Sequence, residues 1–287
     1  MTSPRTLLKA WNINARKALG QNFLRNPVVG RQIVDQAQLT PSDVVLEIGA
    51  GLGAVTIAAA RQAGTVIAVE KDRRLVPLLR TELLACGLHN VRIVQDDFLA
   101  LDLEALAAGQ GRSLVVLGNL PYNISSQVVV KLIEERRCVQ RAILMFQKEL
   151  AQRLCAGPGT RTYGRLSVML RYCADLTLLR QVCADQFYPR PKVDSTLLGM
   201  RFKAGITHAV KDEQLLSLVV QSAFGQRRKT LRNALAGGLP QLDTTSAKAL
   251  LHAADINPRR RAETLSLEEF VNLTNCLQVY QQTAKLA

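Results

Sequence analysis

From residue 44 onward the hydrophobic positions fall into short β-branched runs separated by stretches with apolar residues three and four apart. Residues 44–48, 65–69, 91–94, 114–117 and 142–146 read as buried strands, and 54–62, 73–86 and 125–137 as helices between them. Strands alternating with helices predict an α/β domain whose parallel sheet is covered on both faces. Residues 196–202 form a last apolar run, expected as a strand at the edge of that sheet. Beyond residue 204 only helical spacing remains, over 211–224, 226–236, 244–253 and 266–282, with polar breaks at 237–240 and 257–258. The organisation expected is a domain over 1–203, opening with a basic arm over 1–34, and a small all-helical domain over 204–287. No internal repeat is visible.

A chain of 287 residues with 48% hydrophobic residues can bury a substantial core. Charge adds a partner: 37 Lys and Arg against 23 Asp and Glu leave +14. Basic groups laid on phosphates release condensed counterions, so this excess suits a nucleic acid, although a basic surface also suits anionic lipid or mere solubility. It is spread widely. The first 34 residues hold six basic groups and no acid, and the last 85 hold 11 basic and 7 acidic groups. The six cysteines are scattered, without a C-x-x-C pair or a histidine at ligand spacing, so neither a metal nor a disulfide framework is expected. They read as small buried side chains in a reducing cytoplasm. No run of 18 apolar residues marks a membrane span, and no secretory signal is seen.

The first strand runs into Glu47-Ile48-Gly49-Ala50-Gly51-Leu52-Gly53 and then a helix. Such a turn brings backbone close to a ligand and presents helix N-terminal amides to it. Two readings fit. Gly49, Gly51 and Ala54 satisfy a dinucleotide fingerprint, with Glu70 where a ribose-binding acid belongs. The same residues satisfy the pattern of S-adenosylmethionine-dependent methyltransferases, an acid followed by G-x-G-x-G, on a Rossmann-like sheet. In that case Glu47 faces the amino acid end of the cofactor, Glu70 accepts from the ribose hydroxyls, and Asp96 or Asp97 accepts from the adenine.

Gly118-Asn119-Leu120-Pro121-Tyr122 ends the fourth strand and separates the two readings. The exocyclic amine of adenine is a poor nucleophile because its lone pair is delocalised into the ring. Acceptors for both amine hydrogens favour a pyramidal nitrogen: the Asn119 side-chain oxygen and a backbone carbonyl at Asn119 or Leu120. Pro121 holds Leu120 extended, and Tyr122 offers a face on which a flipped base stacks. A nicotinamide dehydrogenase has no use for this tetrapeptide.

With these motifs in place, the chain resembles the KsgA-type small-subunit (16S) ribosomal RNA adenine N(6),N(6)-dimethyltransferases over roughly residues 16–273. The resemblance rests on residues 17–24, 47–53, 119–122, 146–149, 163–167, 187–195 and 227–232. It implies that Asn22 and Leu24 join Gly49, Gly51, Glu70, Asp96 and Asn119 at the cofactor, and that Phe187 stacks on the target base opposite Tyr122. The reaction implied converts two adjacent adenosines near the 3′ end of small-subunit rRNA to dimethyladenosines, late in assembly of the 30S particle. A cytoplasmic monomer is expected. A helix over 226–235 would place Arg228, Lys229 and Arg232 on nearly one face for phosphate contacts, with residues 259–261 a second basic candidate. The rivals are a DNA adenine or protein glutamine methyltransferase, which usually shows Pro-Pro where this chain has Leu120-Pro121, a resistance enzyme acting on large-subunit rRNA, and a non-catalytic RNA-binding assembly factor.

Overall fold

The computed structural model describes residues 2–206 and 210–286, with side chains as far as residue 283. Nine strands are described: β1 (Phe23–Leu24), β2 (Val44–Ile48), β3 (Thr65–Val69), β4 (Val91–Val94), β5 (Leu114–Asn119), β6 (Val139–Gln147), β7 (Ala174–Val182), β8 (Phe187–Tyr188) and β9 (Ser195–Phe202). Seven of them form one sheet in the order β4-β3-β2-β5-β6-β9-β7, and β1 pairs with β8. The five strands from β4 to β6 run parallel, whereas β9 is antiparallel to β6. All five residues of β2 are buried, as the unbroken Val-Val-Leu-Glu-Ile run requires of a strand covered on both faces.

Strand order reverses between β2 and β5, and such switch points open a crevice at the carboxyl ends of the strands. The register fixes what meets there. Ile48 stands level with Val69 on one side and Gly118 on the other. Gly49, Glu70 and Asn119, each one residue further on, therefore emerge at the same height.

Contacts divide the chain into two units: residues 1–151 with 175–202, and residues 152–174 with 203–287. The helical unit thus includes a segment expected in the first domain. Within it, the helix Arg165–Cys173 bonds to the helix Glu213–Gly225 through Arg165 Nη2 and Ser217 Oγ at 3.2 Å. The rings of Tyr163, Phe224 and Phe270 pack in sequence at 5.8 and 5.9 Å.

Three expectations need correction. Strand β9 is not the sheet edge, because β7 lies outside it. The run over 226–236 is not one helix: Thr230 is the N-cap of a helix over Leu231–Gly238, and the Leu231 amide donates to the Arg260 carbonyl at 2.7 Å. Arg228 and Lys229 sit in the turn before it and share no helix face with Arg232. Of the six cysteines only Cys173 is buried, and Cys183 is exposed. Among the described residues no helix is long and apolar enough to cross a membrane, and no group of three potential metal ligands is found.

Candidate active site

A cavity opens at the switch point, walled by Gly20 to Leu24, Glu47, the loop from Gly49 to Leu52, Glu70, Asn119 and Pro121. The loop has the shape the glycines permit: Gly49 and Gly51 have φ of +70° and +56°. The Gly49 and Ala50 amides donate to the Val69 carbonyl at 2.9 and 3.0 Å, which clamps the loop over the end of β3. A Cβ on Gly51 would stand 3.2 Å from the Phe23 ring. That space is open only because the residue is glycine.

Glu70 is buried and serves two backbone amides, Gly51 N–H at 2.8 Å and Asp72 N–H at 2.7 Å. Burial raises its pKa, and those two bonds oppose the rise. Each carboxylate oxygen keeps a lone pair for a further donor. Glu47 is more extreme. It is 2% exposed, burial pushes its carboxyl up to about 8, and the neighbouring Glu70 adds to the shift against the influence of Thr56. Its Oε2 has no partner. A buried, unpartnered acceptor is costly and calls for a donor or a positive charge in the space beside it. The amino group and sulfonium of S-adenosylmethionine meet that demand, so the residues present fit this cofactor.

Asn119 is fixed from across the cavity: its Nδ2 donates to the Asn22 carbonyl at 2.8 Å. Asn22 in turn donates from its own side chain to the Gly20 carbonyl at 3.1 Å. With the Asn119 amide nitrogen occupied, its Oδ1 is left as an acceptor that no donor reaches among the described residues. The Leu120 amide donates to Met145 at 3.3 Å, while the Pro121 carbonyl is taken by the Ile124 amide and the Ser125 hydroxyl. Tyr122, half-buried, shares a 3.0 Å hydrogen bond between its hydroxyl and Ser195 Oγ, which ties the tetrapeptide to β9.

Neither Leu120 nor Tyr122 belongs to the cavity wall, and two further residues stand apart from this group. Asp96 is exposed; Val69 is level with Val94, so Asp96 lies one residue beyond the height of Glu70. Its Oδ1 accepts from the Asp97 amide, and it is not part of the cavity wall. Phe187 is 1% exposed and packs in the core with Leu24, Val29 and Leu197. Pairing of Leu24 with Phe187 across β1 and β8 turns it inward, so it presents no open face opposite Tyr122.

One residue escaped the motif reading. Asp72, 1% exposed, binds Arg74 at 2.7 and 2.9 Å and accepts from Gln21 Nε2 at 2.9 Å. Gln21 Oε1 accepts from the Arg16 amide, and Arg74 reaches the Asn14 carbonyl at 3.4 Å. Asp72 therefore joins the arm to the segment carrying Glu70. The only signal in the sequence was an acid two residues after another, which usually marks a solvated turn.

This chain matches the family described as ribosomal RNA adenine dimethylase over residues 12–278. It is 47% identical over 277 residues to a ribosomal RNA small subunit methyltransferase A of Desulforapulum autotrophicum, covering 96% of this chain and 97% of that protein. A protein of the same name from Magnetococcus marinus is 42% identical over 94% of each chain. Among solved structures, a dimethyladenosine transferase from Plasmodium falciparum superposes with a TM-score of 0.76 at 26% identity, over 91% of this chain and 98% of that one. The 23S rRNA methyltransferase ErmE gives 0.68, also at 26% identity, over 90% and 100%. A mostly parallel seven-stranded sheet with an acid-lined cofactor cleft, an Asn-Leu-Pro-Tyr strand end and a match over nearly the whole length lead to one conclusion: the chain belongs to the ribosomal RNA adenine dimethylase family.

Proposed function

We propose that the cavity between Glu47, Glu70 and Asn119 brings S-adenosylmethionine against a single adenine extruded from small-subunit rRNA. Family membership makes the chain an S-adenosylmethionine-dependent rRNA adenine dimethyltransferase. The finer reading is that its targets are two adjacent adenosines near the 3′ end of that RNA, modified by a cytoplasmic monomer during late assembly of the 30S particle. The observation that carries the site assignment is the anchoring of Asn119 through its nitrogen to the Asn22 carbonyl, which leaves Oδ1 as an acceptor.

The cofactor, when bound, supplies an electrophilic methyl group. The protein's part is placement. Glu70 receives the ribose hydroxyls, Glu47 faces the amino acid end, and the Gly49–Gly51 backbone, Asn22 and Leu24 enclose the rest. Asp96 takes the adenine amine in this reading, though it sits at the exposed rim. Asn119 Oδ1 accepts one hydrogen of the target amine and the Leu120 carbonyl the other, which localises the nitrogen lone pair. Pro121 fixes the direction of that carbonyl, and the Tyr122 ring stacks on the base. Phe187 contributes a second face only where RNA draws it out of the core. The alkylated amine is acidic enough to lose its proton to solvent, so no side chain need act as base. Most of the rate comes from alignment. Arg228 and Lys229 in the turn, and Arg232 in the following helix, contact phosphates and position the RNA without reading its sequence.

The test is to incubate the protein with labelled cofactor and undermethylated small and large ribosomal subunits, then map the labelled nucleotides. Two adjacent dimethyladenosines in the small-subunit RNA are expected. Label confined to the large subunit would overturn the reading.

A further inference from the structure

A second groove lies in the same unit, outside the cofactor cavity. Its walls are Arg5, Lys9, Asn12 and Asn14 from the N-terminal segment, facing Tyr188 and Pro189, and they enclose about 430 Å³. That is within the size range of small-ligand sites. The helix Pro4–Ala10 is held in place rather than trailing: Leu7 and Leu8 are buried with Phe23, Leu52 and Leu75, and the Thr2 amide donates to Glu82 at 3.0 Å. Arg5 and Lys9, four residues apart, emerge on one face of it. Neither forms an ion pair among the described residues, and no acid lines the groove. Of the two carboxylates bonded to the N-terminal segment, Glu82 accepts from the Thr2 amide and Asp72 is bound by Arg74.

Position adds meaning to charge. Tyr188 pairs directly with Phe23 across β1 and β8, and Phe23 also lines the cofactor cavity. That strand pair lies between the groove and the cofactor cavity. The match to the family begins at residue 12, so Arg5 and Lys9 lie outside it.

We propose that this groove is an RNA subsite, holding the nucleotide next to the extruded adenine with its phosphate on Arg5 and Lys9 and its base on Tyr188. A positively charged channel with an aromatic platform is how single-stranded nucleic acid is gripped without sequence readout. The inference rests on the reading of the Asn119 pocket as the adenine site.

Arg5→Glu with Lys9→Glu tests it, since both side chains are exposed. The expected result is roughly a ten-fold rise in KM for undermethylated small subunits, with kcat and cofactor affinity unchanged. Two lost phosphate contacts should also flatten the salt slope of RNA binding by roughly 1.4. Trp11, the chain's single tryptophan, is 43% exposed beside these residues. A short single-stranded RNA with two adjacent adenosines should change its emission in the parent protein and fail to do so in the variant at the same concentration. Unchanged KM, salt slope and Trp11 response would overturn the subsite. If Asn119→Ala still abolishes methylation in that case, the adenine pocket stands and only the groove fails. Full methylation by Asn119→Ala would instead remove the premise.

Discussion

Glu47 and Asp72 are the two acids whose surroundings most alter their behaviour, and they point in opposite directions. Glu47 is raised from 4.5 to about 8, so folding favours its protonated form. In the protein without cofactor its contribution is fully favourable below pH 4.5 and is lost as pH rises towards 8. A cation placed beside it reverses the preference. Cofactor binding at pH 7 should therefore release a proton, seen in calorimetry as a heat that varies with the ionisation enthalpy of the buffer. Glu47→Gln should abolish that variation; its persistence would show that the proton comes from elsewhere. Asp72 is lowered to about 2, first by the hydrogen bonds from Arg74 and then by that from Gln21, against desolvation. Its stabilisation is present above pH 3.8, on the order of 2 kcal/mol, and is lost as pH falls towards 2. Asp72→Asn should lower the melting temperature at pH 7 and bring it closer to the parent's near pH 3. At this scale the places of Glu70 and Asn119 in the cavity wall are legible, because each stands at the carboxyl end of a strand. That of Asp72 is not, since nothing local tells a buried acid from a solvated one.

Elements explain where the reading of the sequence succeeded and where it slipped. The parallel strands were legible because both their faces are buried, which leaves continuous apolar runs. Strand β7 was missed for the opposite reason: as the outer strand it keeps Asp175, Arg180 and Gln181 exposed and carries no clean alternation. Arg, Lys and Gln over 226–229 favour a helix, but the helix starts only after its N-cap Thr230. The glycine loop is the element on which the proposed cofactor site depends. Gly51→Ala forces a side chain into a left-handed conformation against Phe23, and should destabilise the protein by about 1–3 kcal/mol and weaken cofactor binding measurably. Equal affinity in calorimetry would show that the cradle tolerates a methyl group. The two roles of Phe187, the observed one in the core and the proposed one on the base, are separable. As a core residue, Phe187→Ala should cost about 3–5 kcal/mol of stability, readable as an earlier denaturant midpoint. An unchanged midpoint with a raised KM for RNA would assign it to the base instead.

Across the whole molecule, +14 distributed over both halves suits a polyanionic partner, but composition by itself does not separate RNA from an anionic lipid surface. What composition could not supply was the division into units. Residues 152–174 join the helical unit through packing of Tyr163 and the helix Arg165–Cys173, contacts between segments far apart in sequence. Charge reversal at Arg228 and Lys229 should flatten the salt dependence of RNA binding by roughly 1.4 while leaving cofactor affinity as it was; an unaltered slope would place these residues off the phosphates. The central claim is that Asn119 acts on the target amine rather than on folding or RNA affinity. Single-turnover methylation of undermethylated small subunits by Asn119→Ala measures it most directly. The account predicts unchanged RNA binding with a rate lower by about a hundred-fold or more, and a rate equal to the parent's would contradict it.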